Sequence, residues 1–317
     1  MRVVVIGPGA LGCFFAGRLS KHTEVWLLDY RPERVERILS QKGIHCRDGD
    51  EQWQAELPVT ANTEDVGTAD LVIICTKSYH TLEALGHVQS AISDHTRVLS
   101  LQNGIRNYEM IANVVGKERT LAGITHHAVT LRDDGRIVHN GQGETVIGMF
   151  DARDISAHQD ICDVFEAAGI ETRFSRDIVG LLWGKLVVNA GINALSAVTR
   201  LTNGRLLEFD GTADLMRSAV EEAAAVARKK RIALPEKDMV RLTQDVCRES
   251  FHNRSSMLQD VLDQQRTEID DINGAVVHEA RQLKIDVPVN AALYGLIKTM
   301  EQSYGLREKP GKIQEKD

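Results

Sequence analysis

The sequence predicts an α/β protein: an N-terminal Rossmann-type parallel sheet extended by extra strands, followed by an all-helical C-terminal domain. Three observations carry this reading. Short apolar strands alternate with helical patterns from Arg2 to about residue 120, which implies a parallel sheet covered on both faces. A glycine motif, G-x-G-x-x-G, stands between the first strand and the first helix. After Ser175 strand signals almost vanish, and long helical patterns fill residues 177–303. With 317 residues the chain is long for one hydrophobic core, so two domains are expected. They are placed at 1–175 for a dinucleotide-binding domain and 176–306 for a helical substrate and catalytic domain, with 307–317 as a charged tail.

Taken in order, "RVVVIGPGALGCFFAGRLS" reads as a buried strand, a glycine turn and a helix. "EVWLLD" is a second strand, and "RPERVERILSQKG" a helix stopped by Gly43. "LVIIC" and "RVLSL" are further strands, each followed by polar residues and then helical pattern. "TLAGITHHAVTL", "GRIVHNGQGETVIG" and "IETRF" look like extra strands that enlarge the same sheet. His126 and His127 lie within this strand pattern and match no metal motif; they are read as structural. The cluster "RKKR" at 228–231 ends a helix, where cations suit the helix dipole, and reads as a solvated face.

In the glycine motif, Gly7 permits the tight turn, Gly9 lets backbone approach a pyrophosphate, and Gly12 lets the helix pack on the strand. The helix start at Ala10 and Leu11 then offers its amides and the positive end of its dipole to phosphates. A purely structural glycine turn, or another nucleotide such as FAD, gives the same spacing. Asp29 closes the second strand 17 residues after Gly12, where a carboxylate accepts hydrogen bonds from the adenosine ribose and favours NAD. Arg31 lies close by and suits the 2′-phosphate of NADP, or is simply a solvated first-turn residue of the next helix. Lys77 and Asn103 each follow an apolar strand. Ligands of open parallel sheets bind outside the carboxyl ends of the strands, so both are candidates for the cofactor crevice.

Composition narrows the class. The chain is 43% hydrophobic and 26% charged, as globular proteins are. Its net charge of −7 and the lack of a dense basic stripe argue against a nucleic-acid partner. No apolar run reaches the roughly 18 residues of a membrane span, so no membrane partner is expected. The first strand begins at Arg2, which leaves no room for a signal peptide before it. The five cysteines are scattered without paired spacing, which points away from metal or disulfides and toward a reduced, cytoplasmic setting.

"WGKLVVNAGINAL", residues 183–195, is the unusual stretch. In a helix each residue advances about 100°, so steps of four drift by only about 40°. Lys185, Asn189 and Asn193 therefore share one face of an otherwise apolar helix. A buried ammonium and two carboxamides cost free energy unless partners satisfy them. Further along, Ile269, Ile272, Val276, Ala280 and Leu283 form an apolar stripe, with Glu268 beside it. Taken alone, Glu268 reads as a solvated carboxylate and Ser256 as a cap or loop serine.

These stretches together resemble the ketopantoate reductase family (2-dehydropantoate 2-reductase). The resemblance runs from "GPGALG" through "CTKSYHT", "LQNGI" and "GRIVHNGQGETVIG" to "WGKLVVNAGINALSAVTRLTNG" and "SSMLQDVLDQQRTEIDDING", in family order and spacing. It implies reduction of the ketone of ketopantoate to pantoate, a step of pantothenate and coenzyme A biosynthesis. It further implies that Lys185 is the catalytic lysine and that Glu268 is the acidic residue acting with it on the substrate. Asn189, Asn193, Asn203 and Ser256 fall at substrate-binding positions. Lys77 and Asn103 match residues near the nicotinamide and substrate, and the lysine helix would face the cleft between the domains. The family uses NADPH, yet many members carry an arginine at the end of the second strand where this chain has Tyr30, with Arg31 one place later. NADPH is the expected cofactor, with NADH activity permitted by Asp29.

Two other readings keep or abandon the chemistry. One is a related 2-oxo acid, β-hydroxyacid or opine-type dehydrogenase of the same fold. The other is a protein that senses NADPH without turnover, which would have no need of Lys185 and Glu268. The expected partner is a small 2-oxo acid; monomer and homodimer both fit the sequence.

Overall fold

The first apolar run forms strand β1 (Arg2–Ile6), and its side chains alternate between two cores. Val3 and Val5 pack with Phe14, Phe15, Leu27 and Leu99 on one face of the sheet. Val4 and Ile6 pack with Leu28, Val72, Ile74 and Val98 on the other. A period of two with both faces apolar is the signature of a strand buried inside an α/β layer. The structure, a computed structural model, describes residues 1–132, 135–150 and 158–306. The charged tail expected at 307–317 lies outside the described residues.

The remaining elements follow in chain order: α1 (Ala10–Leu19), β2 (Glu24–Leu28), α2 (Pro32–Ser40), β3 (Ile44–Asp48), β4 (Glu51–Ala55), β5 (Val59–Thr60), β6 (Leu71–Ile74) and α3 (Thr81–Val88). Next come β7 (Arg97–Ser100), α4 (Asn107–Val115), β8 (Thr120–Thr125), β9 (Ala128–Leu131), β10 (Ile137–Gly141), β11 (Thr145–Gly148), α5 (Gln159–Ala167) and β12 (Thr172–Ser175). The helical part holds α6 (Ile178–Thr199), α7 (Asp210–Lys229), α8 (Met239–Glu249), α9 (Ser256–Leu262), α10 (Asn273–Leu283) and α11 (Pro288–Gln302). Contacts divide the chain into two compact units, Met1–Leu182 and Trp183–Asp317, with the division inside α6.

The main sheet runs β12–β11–β8–β7–β6–β1–β2–β5 and is parallel throughout except where β11 meets β8. The extra strands do not all enlarge it, as the sequence reading had them. β8, β11 and β12 do; β9 and β10 join β3 and β4 in a separate four-stranded sheet, ordered β4–β3–β10–β9. The physical reason is that Ile137 pairs with Cys46, and both bury their side chains in the core that α1 shares.

The two histidines read as structural part company. His126 is exposed, whereas His127 is buried at the head of a polar chain. His127 Nδ1 lies 3.0 Å from His139 Nε2, and His139 Nδ1 lies 2.8 Å from Asp48 Oδ1, which Arg18 pairs from α1. With Nδ1 of His139 donating to the Asp48 carboxylate, its Nε2 is left to accept from His127. Phe14 packs on both imidazoles, with ring centroids 4.8 and 4.7 Å away. Burial, then the neighbouring His139, pull His127 down to about 4 from 6.5. The unfolded chain therefore binds a proton that the folded one refuses between about pH 4 and 6.5. Stability should rise with pH across that window and be complete above it, by an upper bound of ~3 kcal/mol. Melting temperatures recorded from pH 4 to 7 should show a shallower slope in His127→Phe than in the wild type.

In the second unit α6 is the apolar centre. Its most apolar 18-residue window has a mean hydropathy of 1.5, so by length and composition it meets the measure of a membrane span that the sequence reading did not see. That window is 72% buried within the protein, as befits a core helix.

Candidate active site

In the first unit, local geometry builds a candidate cofactor site around the glycine turn. Gly7 has φ +94°, a conformation that favours glycine. A Cβ on Gly12 would stand 2.0 Å from the Gly7 carbonyl oxygen, so α1 can meet the turn only with glycine there. Gly9 differs: its φ is −74° and a Cβ would meet nothing within 4 Å. No protein contact asks for glycine at that position, and the open space beside it suits the close approach of a ligand. Gly9 is also the N-cap of α1, with no side-chain cap and no acidic residue in the first turn. The amides of Ala10 and Leu11 thus begin a helix whose positive end is left for an anion. These residues fit a dinucleotide pyrophosphate.

Asp29 ends β2 beside the same turn, where the Gly7 N–H donates to the Leu28 carbonyl at 3.0 Å. A crevice there is lined by Gly7, Asp29, Tyr30, Thr76 and His87, among others. The Asp29 carboxylate is 2% exposed and already engaged. Oδ1 accepts from the Arg31 amide at 3.0 Å, and Oδ2 from Arg34 Nη1 at 3.4 Å. Arg31 lies over the Tyr30 ring, 5.2 Å from its centroid, and its Nε donates to the Tyr30 hydroxyl at 3.1 Å. On its other side Tyr30 stacks on His87 with centroids 5.3 Å apart.

Lys77 and Asn103 stand at the carboxyl ends of adjacent parallel strands, β6 and β7. What joins them is Gln102, which sequence reasoning passed over although it stands in the quoted "LQNG". Its buried carboxamide donates to the Thr76 carbonyl at 3.0 Å, the Thr76 hydroxyl at 3.1 Å and the Lys77 carbonyl at 3.2 Å. Its oxygen accepts from Ser100 and Thr81, each at 3.1 Å. Asn103 in turn accepts from Asn107 Nδ2 at 2.7 Å through its backbone oxygen. A buried amide between two strand ends is a signal that spacing does not carry.

The helical unit carries the other candidate residues. Lys185, Asn189 and Asn193 do share one face of α6, with Asn193 only 5% exposed. Burial pulls the Lys185 ammonium down to about 8 from 10.5, and the charge of Glu268 pushes it back up. Among the described residues, the Asn189 and Asn193 carboxamides have no hydrogen-bond partner. Glu268 is 5% exposed and N-caps a short turn, Ile269–Asp271. Its neighbour Thr267 is clamped by Glu301, whose Oε1 accepts from the Thr267 amide at 2.8 Å and its hydroxyl at 2.7 Å. This clamp fixes the backbone next to Glu268 and so helps hold the acidic side chain inside against the cost of taking a carboxylate out of water.

Asn203 caps the turn Gly204–Leu207 by position, its Nδ2 donating to the Ser250 hydroxyl at 3.0 Å, while its buried Oδ1 has no partner. Ser256 begins α9 and is exposed. The capping role is taken by Ser255, whose hydroxyl accepts from the Leu258 amide at 3.0 Å. Ser256 is thereby left without a capping duty. A cavity of about 600 Å³ on the small sheet, lined by Arg47, Arg132 and Arg136, contains none of these site residues. Among the described residues no cluster of His, Cys, Asp or Glu is suited to hold a metal, and all five cysteines are free thiols.

Comparison with known proteins matches both parts of the chain. A family model described as ketopantoate reductase PanE/ApbA covers residues 3–152, and its C-terminal counterpart covers 177–301. The 2-dehydropantoate 2-reductase of Halobacterium salinarum is 34% identical over 304 residues, spanning 95% of this chain and 99% of the relative. That of Pyrococcus abyssi is 32% identical over 307 residues, spanning 96% and 99%. A PanE/ApbA family ketopantoate reductase from Ralstonia eutropha JMP134 has a TM-score of 0.88 at 32% identity, covering 96% of this chain and all (100%) of that one. A ternary structure of D-mandelate dehydrogenase with NADH and anilino(oxo)acetate has a TM-score of 0.91 at 26% identity, with 96% and 100% covered.

Proposed function

The chain belongs to the ketopantoate reductase PanE/ApbA family, and from that premise we propose that it reduces the ketone of 2-dehydropantoate to pantoate with NADPH. Membership makes it an oxidoreductase that takes a small keto acid and a nicotinamide cofactor; the reaction named is a step of pantothenate biosynthesis. The observation that carries the reading is the polar face of α6. A desolvated ammonium under the charge of Glu268 lies on the same helix face as two carboxamides without protein partners. A 2-oxo acid bearing a carboxylate, a ketone and a hydroxyl supplies what that face lacks.

When bound, the reduced nicotinamide supplies the hydride for the ketone carbon. Negative charge then builds on the ketone oxygen, and Lys185 is the group that stabilises it and donates the proton. Glu268 accepts from the substrate hydroxyl and holds Lys185 in its charged form. Asn189, Asn193, Asn203 and Ser256 bind substrate polar groups, and Gly7, Gly9, Gly12, Ala10, Leu11 and Lys77 hold the cofactor, with Asn103 at both. The reading is tested by following NADPH consumption against a panel of 2-oxo acids. Ketopantoate should give the highest kcat/KM; a bulkier aryl 2-oxo acid ahead of it would overturn the assignment.

What supports NADPH is that the Asp29 carboxylate is already engaged by Arg34, whose charge partly offsets it, and by the Arg31 amide, which blunts its repulsion of a 2′-phosphate. NADH activity remains as a smaller component. Arg31→Ala should shift the kcat/KM ratio toward NADH, on the order of 10-fold for the loss of one charge-assisted contact. Asp29→Ala should shift it toward NADPH. Both shifts should shrink at high salt, to the extent that solvent screens the contacts. A wild type that prefers NADH and ignores the Arg31 change would reverse the cofactor assignment.

A further inference from the structure

The helix that carries Lys185 is held by a one-way chain of amide hydrogen bonds. Asn273 and Asn290 are both fully buried. Asn273 Nδ2 donates to the backbone oxygen of Ala190 in α6 and to Asn290 Oδ1, each at 3.0 Å. Asn290 Nδ2 donates to the Ala219 carbonyl in α7 at 3.0 Å and to Glu222 Oε2 at 2.7 Å. Glu222 also accepts from the amides of Val289 and Asn290 at the start of α11, both at 2.9 Å. Turning either carboxamide over would set oxygen against the oxygen of Ala190 or Ala219. The chain therefore has one direction, and its last link ends on α6.

That last link is not needed to make the helix. α6 is unbroken from Ile178 to Thr199, so the Ala190 oxygen already serves the helical ladder and offers Asn273 its second lone pair. The bond fixes instead the rotation and height of α6 against whatever carries Asn273. Asn273 opens α10 directly after the turn Ile269–Asp271, which Glu268 caps. A single side chain thus ties the segment of Glu268 to the helix of Lys185.

We propose that Asn273 is a positioning residue for the reaction: it sets the register of α6 against the Glu268 turn, so that the carboxylate acts on the Lys185 ammonium. This rests on the reading of Lys185 and Glu268 as the catalytic pair. If the register loosens, the pull of Glu268 weakens while burial still disfavours the charged lysine. The ammonium then loses its proton at lower pH.

The test compares Asn273→Ala with Asn290→Ala in the full-length protein. Both remove a buried carboxamide of the same chain, and both should lower Tm. Only Asn273→Ala should lower kcat, on the order of 10-fold, and move the alkaline limb of the kcat/KM–pH profile downward, with KM for the cofactor unchanged. An equal limb shift in Asn290→Ala, or an unshifted limb in Asn273→Ala, overturns the proposal. If Asn273→Ala does not fold, Asn273→Ser keeps one short donor and should show the same shift at smaller amplitude. A folded Asn273→Ser with a wild-type limb overturns it equally. Lys185→Ala run alongside separates the two failures: turnover retained there removes the reading beneath the proposal rather than the role of Asn273.

Discussion

Lys185→Ala is expected to lower kcat by on the order of 10²–10³-fold, the typical cost of one donor aimed at a developing oxyanion. KM for the 2-oxo acid should change much less, because the carboxamides of Asn189 and Asn193 remain. The wild-type pH profile adds an independent signature. With the ammonium at about 8, roughly nine lysines in ten are charged at pH 7. If Lys185 is the general acid its charged form is the active one, so kcat/KM should hold below that value and fall as pH rises through about 8. Residual activity of Lys185→Ala should lack this alkaline limb. A variant with near-wild-type turnover, or one that keeps the limb, would remove Lys185 from the role of general acid.

The glycine turn and the strands β1, β2, β6 and β7 were legible because their signals are local: a period of two, a fixed glycine spacing and apolar runs of the right length. The polar face of α6 was legible for the same reason, being a helical period within one segment. The second sheet was not. It joins β3 to β10, and the His139–Asp48 contact it creates spans 91 residues, with short strands whose exposed faces carry Arg47 and Gln52. No local pattern distinguishes such strands from additions to the main sheet. The same limit hid the supports of the site. Gln102 matters through Thr76 and Lys77 on another strand end, and Asn273 through Ala190, 83 residues away. Asp29 shows a subtler case. Its position at the end of β2 was readable, but its engagement by Arg34, which decides how strongly it repels phosphate, depends on the first turns of α2.

Glu268→Gln should act through charge alone, since the carboxamide keeps the size of the carboxylate. Desolvation is the largest influence on Lys185 and the Glu268 charge is what opposes it. Without that charge the ammonium is disfavoured further, so the alkaline limb of kcat/KM should move below about 8 and activity at neutral pH should fall with it. Substrate KM should rise as well, because a neutral acceptor binds the hydroxyl less strongly than a carboxylate does. Together these should lower kcat/KM at pH 7.5 on the order of 10²-fold, at the low end of what general acid–base machinery contributes. Asp270→Asn is the control for nonspecific charge loss. Asp270 lies two residues on but is engaged by Lys298, Tyr294 and Arg266, so its removal should cost stability and leave the limb in place. If Glu268→Gln lowers only Tm, with the kinetics of the folded enzyme intact, Glu268 is structural and Lys185 acts without it. A limb that moves for Glu268→Gln and stays for Asp270→Asn identifies Glu268 as the group that keeps the lysine charged.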